Sequence, residues 1–239
     1  MAVAASNKFS DNTATGATSF ATQSWTPTAN RLNFLCFYSR TGISADPTQP
    51  TASGNSLTWN LAGSVVFDST GSSRRRLTAF WALGASPSTG ATTIDCGGQA
   101  QTGAAWIVDD FTGIDTASPV VQTVTNKDEG VSQTSLTVTL AAFGSANNAT
   151  YGFFATATNA QTPTVGSGFT LVDEETSNAI EVAAKIDTEF RSDNDTSVDM
   201  SWSANSQFGG IAVEIKAATD AGGTVTATAY MTTNKFWGT

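Results

Sequence analysis

Residues 103–115 constrain the fold more than any other stretch, because the run is apolar on both faces before it turns abruptly acidic. Read as a strand, it points Ala105, Ile107 and Asp109 to one side and Ala104, Trp106 and Val108 to the other. A short strand with no wet face has to be covered twice. That places it inside a two-layer sheet structure and away from an edge.

The remaining pattern supplies the covers. Residues 32–38 and 151–157 are further strands with little polar character, the second of them apolar enough to be buried on both sides. Period-two alternation recurs at Leu136, Val138 and Leu140 with threonines between them, at Ile180, Val182, Ala184 and Ile186, at Val198, Met200 and Trp202, and at Ile211, Val213 and Ile215. Each predicts a core side and a solvent side. Shorter strands are expected near 18–25, 57–59, 64–67, 77–83, 92–95, 119–125 and 169–172, and turns at 26–30, 69–73, 126–130 and 173–178. Residues 41–55, with Pro47, Pro50 and Gly54, read as a long surface loop. No amphipathic helical period is visible, so the pattern predicts an all-β chain: an antiparallel β-sandwich of jelly-roll type over residues 1–216 with a C-terminal extension over 217–239. A parallel β-helix would need a short stacking repeat, and none is present.

With 239 residues the chain is long enough for one large sheet domain. Charged residues are only 13% of the chain and the net charge is −9, so clustered cations able to neutralise phosphates are missing and nucleic acid is not an expected partner. An anionic membrane surface is disfavoured for the same reason. The first eight residues lack the charged and apolar regions of a secretory signal, which predicts synthesis in a cytoplasm, where Cys36 and Cys96 would be two small buried thiols. Arg74, Arg75 and Arg76 alternate across a strand end, so they cannot form one flat basic patch and are expected to pair with nearby carboxylates.

The chain has no histidine, which removes imidazole bases, Ser-His-Asp nucleophiles and His-dependent zinc sites. Carboxylate chemistry is what remains, as in glycosidases, with Asp109, Asp110, Asp115, Asp173, Glu174, Glu175, Asp187 and Glu189 as candidates. A turn or surface acid is the commoner reading of each, and no catalytic residue is assigned. Asp193 and Asp195, close after Glu189, offer hard oxygen ligands on a tight loop, a candidate calcium site without the spacing of an EF-hand. The same Asp-Asn-Asp run is an ordinary turn. The sequons at Asn148 and Asn194 are turns first.

Several spaced motifs carry a resemblance. In the first half they are Pro27-Thr-Ala-Asn30, Leu57-Thr-Trp59, Phe67-Asp68, Arg75-Arg-Leu-Thr78, Thr93-Ile-Asp95 with Gly97-Gly-Gln99, and Gln101-Thr-Gly103 leading to Trp106. In the second they are Phe111-Thr-Gly-Ile-Asp-Thr116, Leu140-Ala-Ala-Phe143, Asn148-Ala-Thr-Tyr-Gly152, Gly166-Ser-Gly-Phe169, Asn194-Asp-Thr196 with Trp202, and Gly209-Gly-Ile-Ala-Val-Glu-Ile215. Across residues 20–216 the chain resembles a β-sandwich module of tailed-phage structural proteins. The resemblance implies a virion location, on the head surface as a decoration or fibre protein or in the tail, and brings no catalytic residues with it. The expected partners are other virion proteins and further copies of the chain in an oligomer. Tyr230, Phe236 and Trp237 in the C-terminal extension are the candidate partner-binding residues, since aromatic side chains dominate interface energetics. The rival expectation is a tail-associated receptor-binding or carbohydrate-binding adhesin that uses Trp59, Trp81 or Trp237 as a platform for a host-surface glycan. Trp59 and Trp81 lie in strand patterns, which predicts burial for both.

Overall fold

The computed structural model describes residues 2–68, 74–158, 161–177 and 184–219, and of residues 130–132 and 177 the backbone alone. The first half of the chain forms β1 (Ala4–Thr13), β2 (Ser19–Ala21), β3 (Leu32–Arg40), β4 (Thr51–Gly54), β5 (Asn60–Phe67), β6 (Arg75–Ala82), β7 (Thr92–Asp95) and β8 (Gly103–Thr112). The second half forms β9 (Val120–Thr139), β10 (Ala149–Thr156), β11 (Pro163–Val165), β12 (Thr170–Ser177), β13 (Ala184–Arg191) and β14 (Ser197–Ile215). All pairings are antiparallel.

Two large sheets result, one in the order β1-β8-β3-β6-β5 and the other β11-β14-β10-β13-β12, with β9 on the other side of β14. Each sheet therefore comes from one half of the chain. The jelly-roll winding expected from the sequence, in which a chain passes back and forth between its sheets, is not confirmed by this order. The inner faces meet through Phe34, Cys36 and Tyr38 of β3, Ile107 and Phe111 of β8, Tyr151 and Phe153 of β10, and Ile211 and Val213 of β14, all at 0% exposure. Burying each of these large side chains stabilises the fold by about 1.5–3 kcal/mol, so this sandwich interior is the main source of cohesion.

β8 is covered twice, as its sequence requires, but its second cover is a third layer. A small sheet, β2-β7-β4, lies against the outer face of the first sheet, where Leu35, Phe37, Trp106 and Val108 pack with Phe20, Trp25, Ile94 and Cys96. The second sheet has an outer cover of its own, and β9 and β14 make it. They pair from Val120 opposite Ile215 out to Thr139 opposite Ser197, with the register broken between Ser201, Ser206 and Phe208. Beyond that break the ribbon doubles back as an arm. Leu136, Val138, Val198, Met200 and Trp202 are thereby buried against Phe154, Phe208 and Ala212 of the sheet beneath. The two halves of β9 even bond to one another, Asn126 Nδ2 donating to the Thr137 carbonyl at 2.8 Å.

Several expectations from the sequence are corrected here. The turn expected at 126–130 does not exist, because those residues continue β9 in pairing with β14. Residues 173–177, expected to turn, extend β12, which keeps pairing with β13 as far as Ser177 opposite Ala184. The loop at 41–55 contains β4, and the polar N-terminal stretch contains β1 as the edge of the first sheet. Leu57 makes only an isolated bridge to Gly54, and the strand expected around it begins at Asn60. Both cysteines are free and buried.

Candidate functional site

The eight candidate acids divide by their partners more than by depth, since Asp110 is buried as well. Asp110, Asp115, Glu174 and Glu175 are spoken for by near neighbours: Arg31 and Lys8 stand 2.9 and 3.4 Å from Asp110, Lys216 stands 2.8 Å from Asp115, Lys185 stands 2.7 Å from Glu174, and Asn12 donates to Glu175 at 2.8 Å. Asp109, Asp187 and Glu189 are fully buried.

Asp109 follows Ala105 and Ile107 on the inner face of β8, so the alternation that builds the core also carries a carboxyl into it. Burial pushes it up to about 7, against the opposing pull of donors that favour the ionised form. Those donors are the Tyr151 hydroxyl from β10, the Thr188 hydroxyl from β13 and Asn7 Nδ2 from β1, the last at 3.0 Å. Asn7 also donates to Asp173 at 2.8 Å, so it bridges the two carboxyls where β1 and β12 close one side of the sandwich. Desolvation raises Asp173 as well.

Asp187 and Glu189 occupy alternate positions on the outer face of β13, beneath the arm. Each has one oxygen held by an arm element or its neighbour: Trp202 Nε1 donates to Asp187 at 2.9 Å, and the Gly166 amide, just past β11, donates to Glu189 at 3.1 Å. The other oxygen of each is buried without a hydrogen-bond partner. Desolvation pushes Asp187 up to about 7 and Glu189 up to about 8, with the Asp199, Asp187 and Asp195 charges adding to the second. Sealed under a strand layer, these two acids are not presented to a substrate.

The calcium candidates are separated. Arg191 takes Asp193 through Nε and Asp195 through Nη1, the latter at 2.6 Å, while Glu189 is held apart under the arm by the Gly166 amide. A guanidinium thus sits where a cation would. Among the described residues no group of three or more acids or thiols is arranged to hold a metal. Arg74 pairs with Asp46 and Arg75 with Asp68, as expected of the run, whereas Arg76 donates to the Pro47 carbonyl and to Ser64 instead of a carboxylate. Trp59 and Trp81 are half-buried against the outer and inner clusters. The exposed large hydrophobic residues among those described are Ile43, Leu61, Val121 and Leu171, none of them aromatic. Tyr230, Phe236 and Trp237 lie outside the described residues.

One open concavity was missed by sequence reasoning. A cavity of about 410 Å³ lies at the end of the sandwich, between the start of β9 and the end of β14, with Val120, Val121 and Ala217 as apolar wall and Asn148 and Glu214 as polar floor. Glu214 is 1% exposed and accepts from Asn148 Nδ2 at 2.5 Å and from Gln122 Nε2 at 2.6 Å. The Asn148 side-chain oxygen accepts in turn from the Ala217 amide at 3.2 Å. The sequence offered no signal for it, because Glu214 falls on the face opposite Ile211, Val213 and Ile215, the side that the alternation assigns to solvent. Comparisons with family models, with curated proteins and with solved structures found no match.

Proposed function

We propose that the chain is a non-enzymatic structural protein of a tailed-phage virion, serving as a decoration of the head surface. The observation that supports this reading most is the placement of the acids: the three most perturbed carboxyls are sealed beneath strands and bonded to residues that fasten layers together. Their role is architectural. The layered sandwich, the low content of charge and the resemblance over residues 20–216 fit a particle exterior. A tail-associated adhesin is the second reading. It draws on the same resemblance, but the described surface offers no exposed aromatic platform on which a sugar would stack.

Cryo-electron microscopy of the particle that carries the chain tests this. Density of this shape repeated over the head lattice is the expected result. Density confined to the tail would overturn the head assignment and make host-surface recognition the working reading. Turnover of an oligosaccharide by the purified protein would overturn the non-enzymatic reading.

A further inference from the structure

We propose that β1 is a pH-released edge strand: when the Asp109 and Asp173 carboxyls have lost their protons, β1 lifts from β8 while the sandwich behind it stays folded. The inference is independent of where the protein sits in a particle. It starts from how little apolar contact holds this strand. Phe9 is the one buried residue of β1, whereas every residue of β3 except Arg40 is buried. A strand held mainly by its ladder and by part-exposed polar contacts opens at lower cost than the core.

The polar side chains of β1 reach acids instead. Ser6 donates to Asp110, Lys8 stands 3.4 Å from the same carboxylate, and Asn12 donates to Glu175 at 2.8 Å. Asn7 Nδ2 serves Asp109 at 3.0 Å and Asp173 at 2.8 Å, so one neutral amide spends its two hydrogens on carboxyls from two different sheets. Beside it the ladder is interrupted, because the register with β8 shifts between Asn7 and Phe9. The groups facing the pair, among the described residues, are hydroxyls, a thiol and further acids. Tyr151, Thr188 and Cys36 surround Asp109, while Ser10, Glu174 and Glu175 surround Asp173, with the Asp187 charge also felt there. The cations near this edge are engaged elsewhere: Lys8 and Arg31 bind Asp110, the next residue along β8 and so on its other face, and Lys185 binds Glu174.

Two protons therefore decide how well β1 is seated. With both carboxyls ionised, two negative charges share one neutral amide, and release of the strand gives each of them water. Burial holds Asp109 at about 7 and raises Asp173 as well, whereas hydrated carboxyls lose their protons near pH 4. Below that lower value the seated and released states are both protonated and their ratio is constant. Above it the released strand gives up protons that the seated one keeps, so release is favoured by up to about tenfold per pH unit for each group until the seated values are passed. What release uncovers is the edge of β8, a row of backbone donors and acceptors of the kind that pairs with another strand.

Hydrogen exchange of the full chain, corrected for the intrinsic rate at each pH and followed at several low urea concentrations, tests the proposal. Amides of β1 are expected to open about tenfold or more at pH 8 relative to pH 5. That opening should depend little on urea, because a local release exposes little surface, whereas amides of β3 open only through the urea-sensitive unfolding of the whole domain. Asp109→Asn removes one of the two titrating carboxyls and is expected to reduce the rise severalfold. Asp173→Asn, at a half-buried position, reads the same linkage if the buried substitution does not fold. Amides of β1 equally closed at the two pH values, a rise with the urea sensitivity of β3, or a rise of unchanged size in the folded variants would each overturn the proposal.

Discussion

The indole N–H of Trp202 reaches from the arm to the carboxylate of Asp187 on β13, 2.9 Å away, and joins two layers of the protein at a point closed to water. Its loss should be felt because the acceptor stays buried. Trp202→Phe keeps most of the apolar contact with Phe154 and Phe208 but leaves both Asp187 oxygens without partners. The expected cost is about 1–3 kcal/mol. Urea unfolding of the variant measures it, and Asp187→Asn in the same background recovers part of the loss if the unpaired carboxyl is the cause.

Stability should fall as pH rises from weakly acidic to weakly basic. Asp109, Asp187 and Glu189 are held by burial at about 7, about 7 and about 8, whereas carboxyls in an unfolded chain lose their protons near pH 4. Below that lower value both states are protonated and these groups contribute no pH dependence. Between the two values the unfolded chain has released protons that the folded chain keeps, so each group lowers stability by up to about 1.4 kcal/mol per pH unit. Above the folded values the decline ends. Urea midpoints are therefore expected to be higher near pH 5 than near pH 8, with a shallower slope in Asp187→Asn. A midpoint that climbs across that interval would overturn the assignment.

The arm lies so close to the sheet that two glycines are required beneath it. A Cβ on Gly210 would stand 2.8 Å from Val138 Cγ2 and 2.9 Å from Phe154, and one on Gly152 would stand 2.8 Å from Val198 Cγ1. Gly210→Ala is expected to push the arm outward and cost about 1–3 kcal/mol. Hydrogen exchange separates this from a general loss of stability. Amides of residues 135–139 and 197–202 should lose protection more than those of β3 and β8.

Alternation made part of the sheet content legible, as at Leu136, Val138 and Leu140 or Ile211, Val213 and Ile215, while β3, β8 and β10 were legible as short runs apolar on both faces. Alternation is blind to what covers a face. Trp106 and Val108 had to be buried, but nothing local to β8 says that a small sheet made of residues 19–21, 51–54 and 92–95 would bury them. The run 126–130 carries the polar composition of a turn, and pairing with Gly209, Gly210 and Phe208 holds it as strand all the same. Tertiary contact overrides local preference there. The buried acids were on the candidate list, but only the arm distinguishes Asp187 from an exposed strand acid. Glu214 was not on it, because its partners Gln122 and Asn148 come from β9 and from the approach to β10.

Arg191 gives a last expectation, about cations. Its guanidinium binds Asp193 and Asp195, donates to the Ser167 carbonyl at 3.0 Å and stands 6.0 Å above the Phe169 ring, and the Asp193 contact raises its own affinity for a proton. With that charge in place a calcium ion would have to displace an arginine already tethered at four points. Calcium and chelator should therefore leave the unfolding temperature of the native chain unchanged. Arg191→Ala removes the tether and leaves two facing acids. The variant is expected to lose about 1 kcal/mol, or roughly 2–4 °C. Calcium is expected to restore part of that loss in the variant alone. A rise in the native chain's unfolding temperature with calcium would instead show that Asp193 and Asp195 release Arg191 to take the metal, and calorimetry with calcium and magnesium in parallel would read that exchange directly.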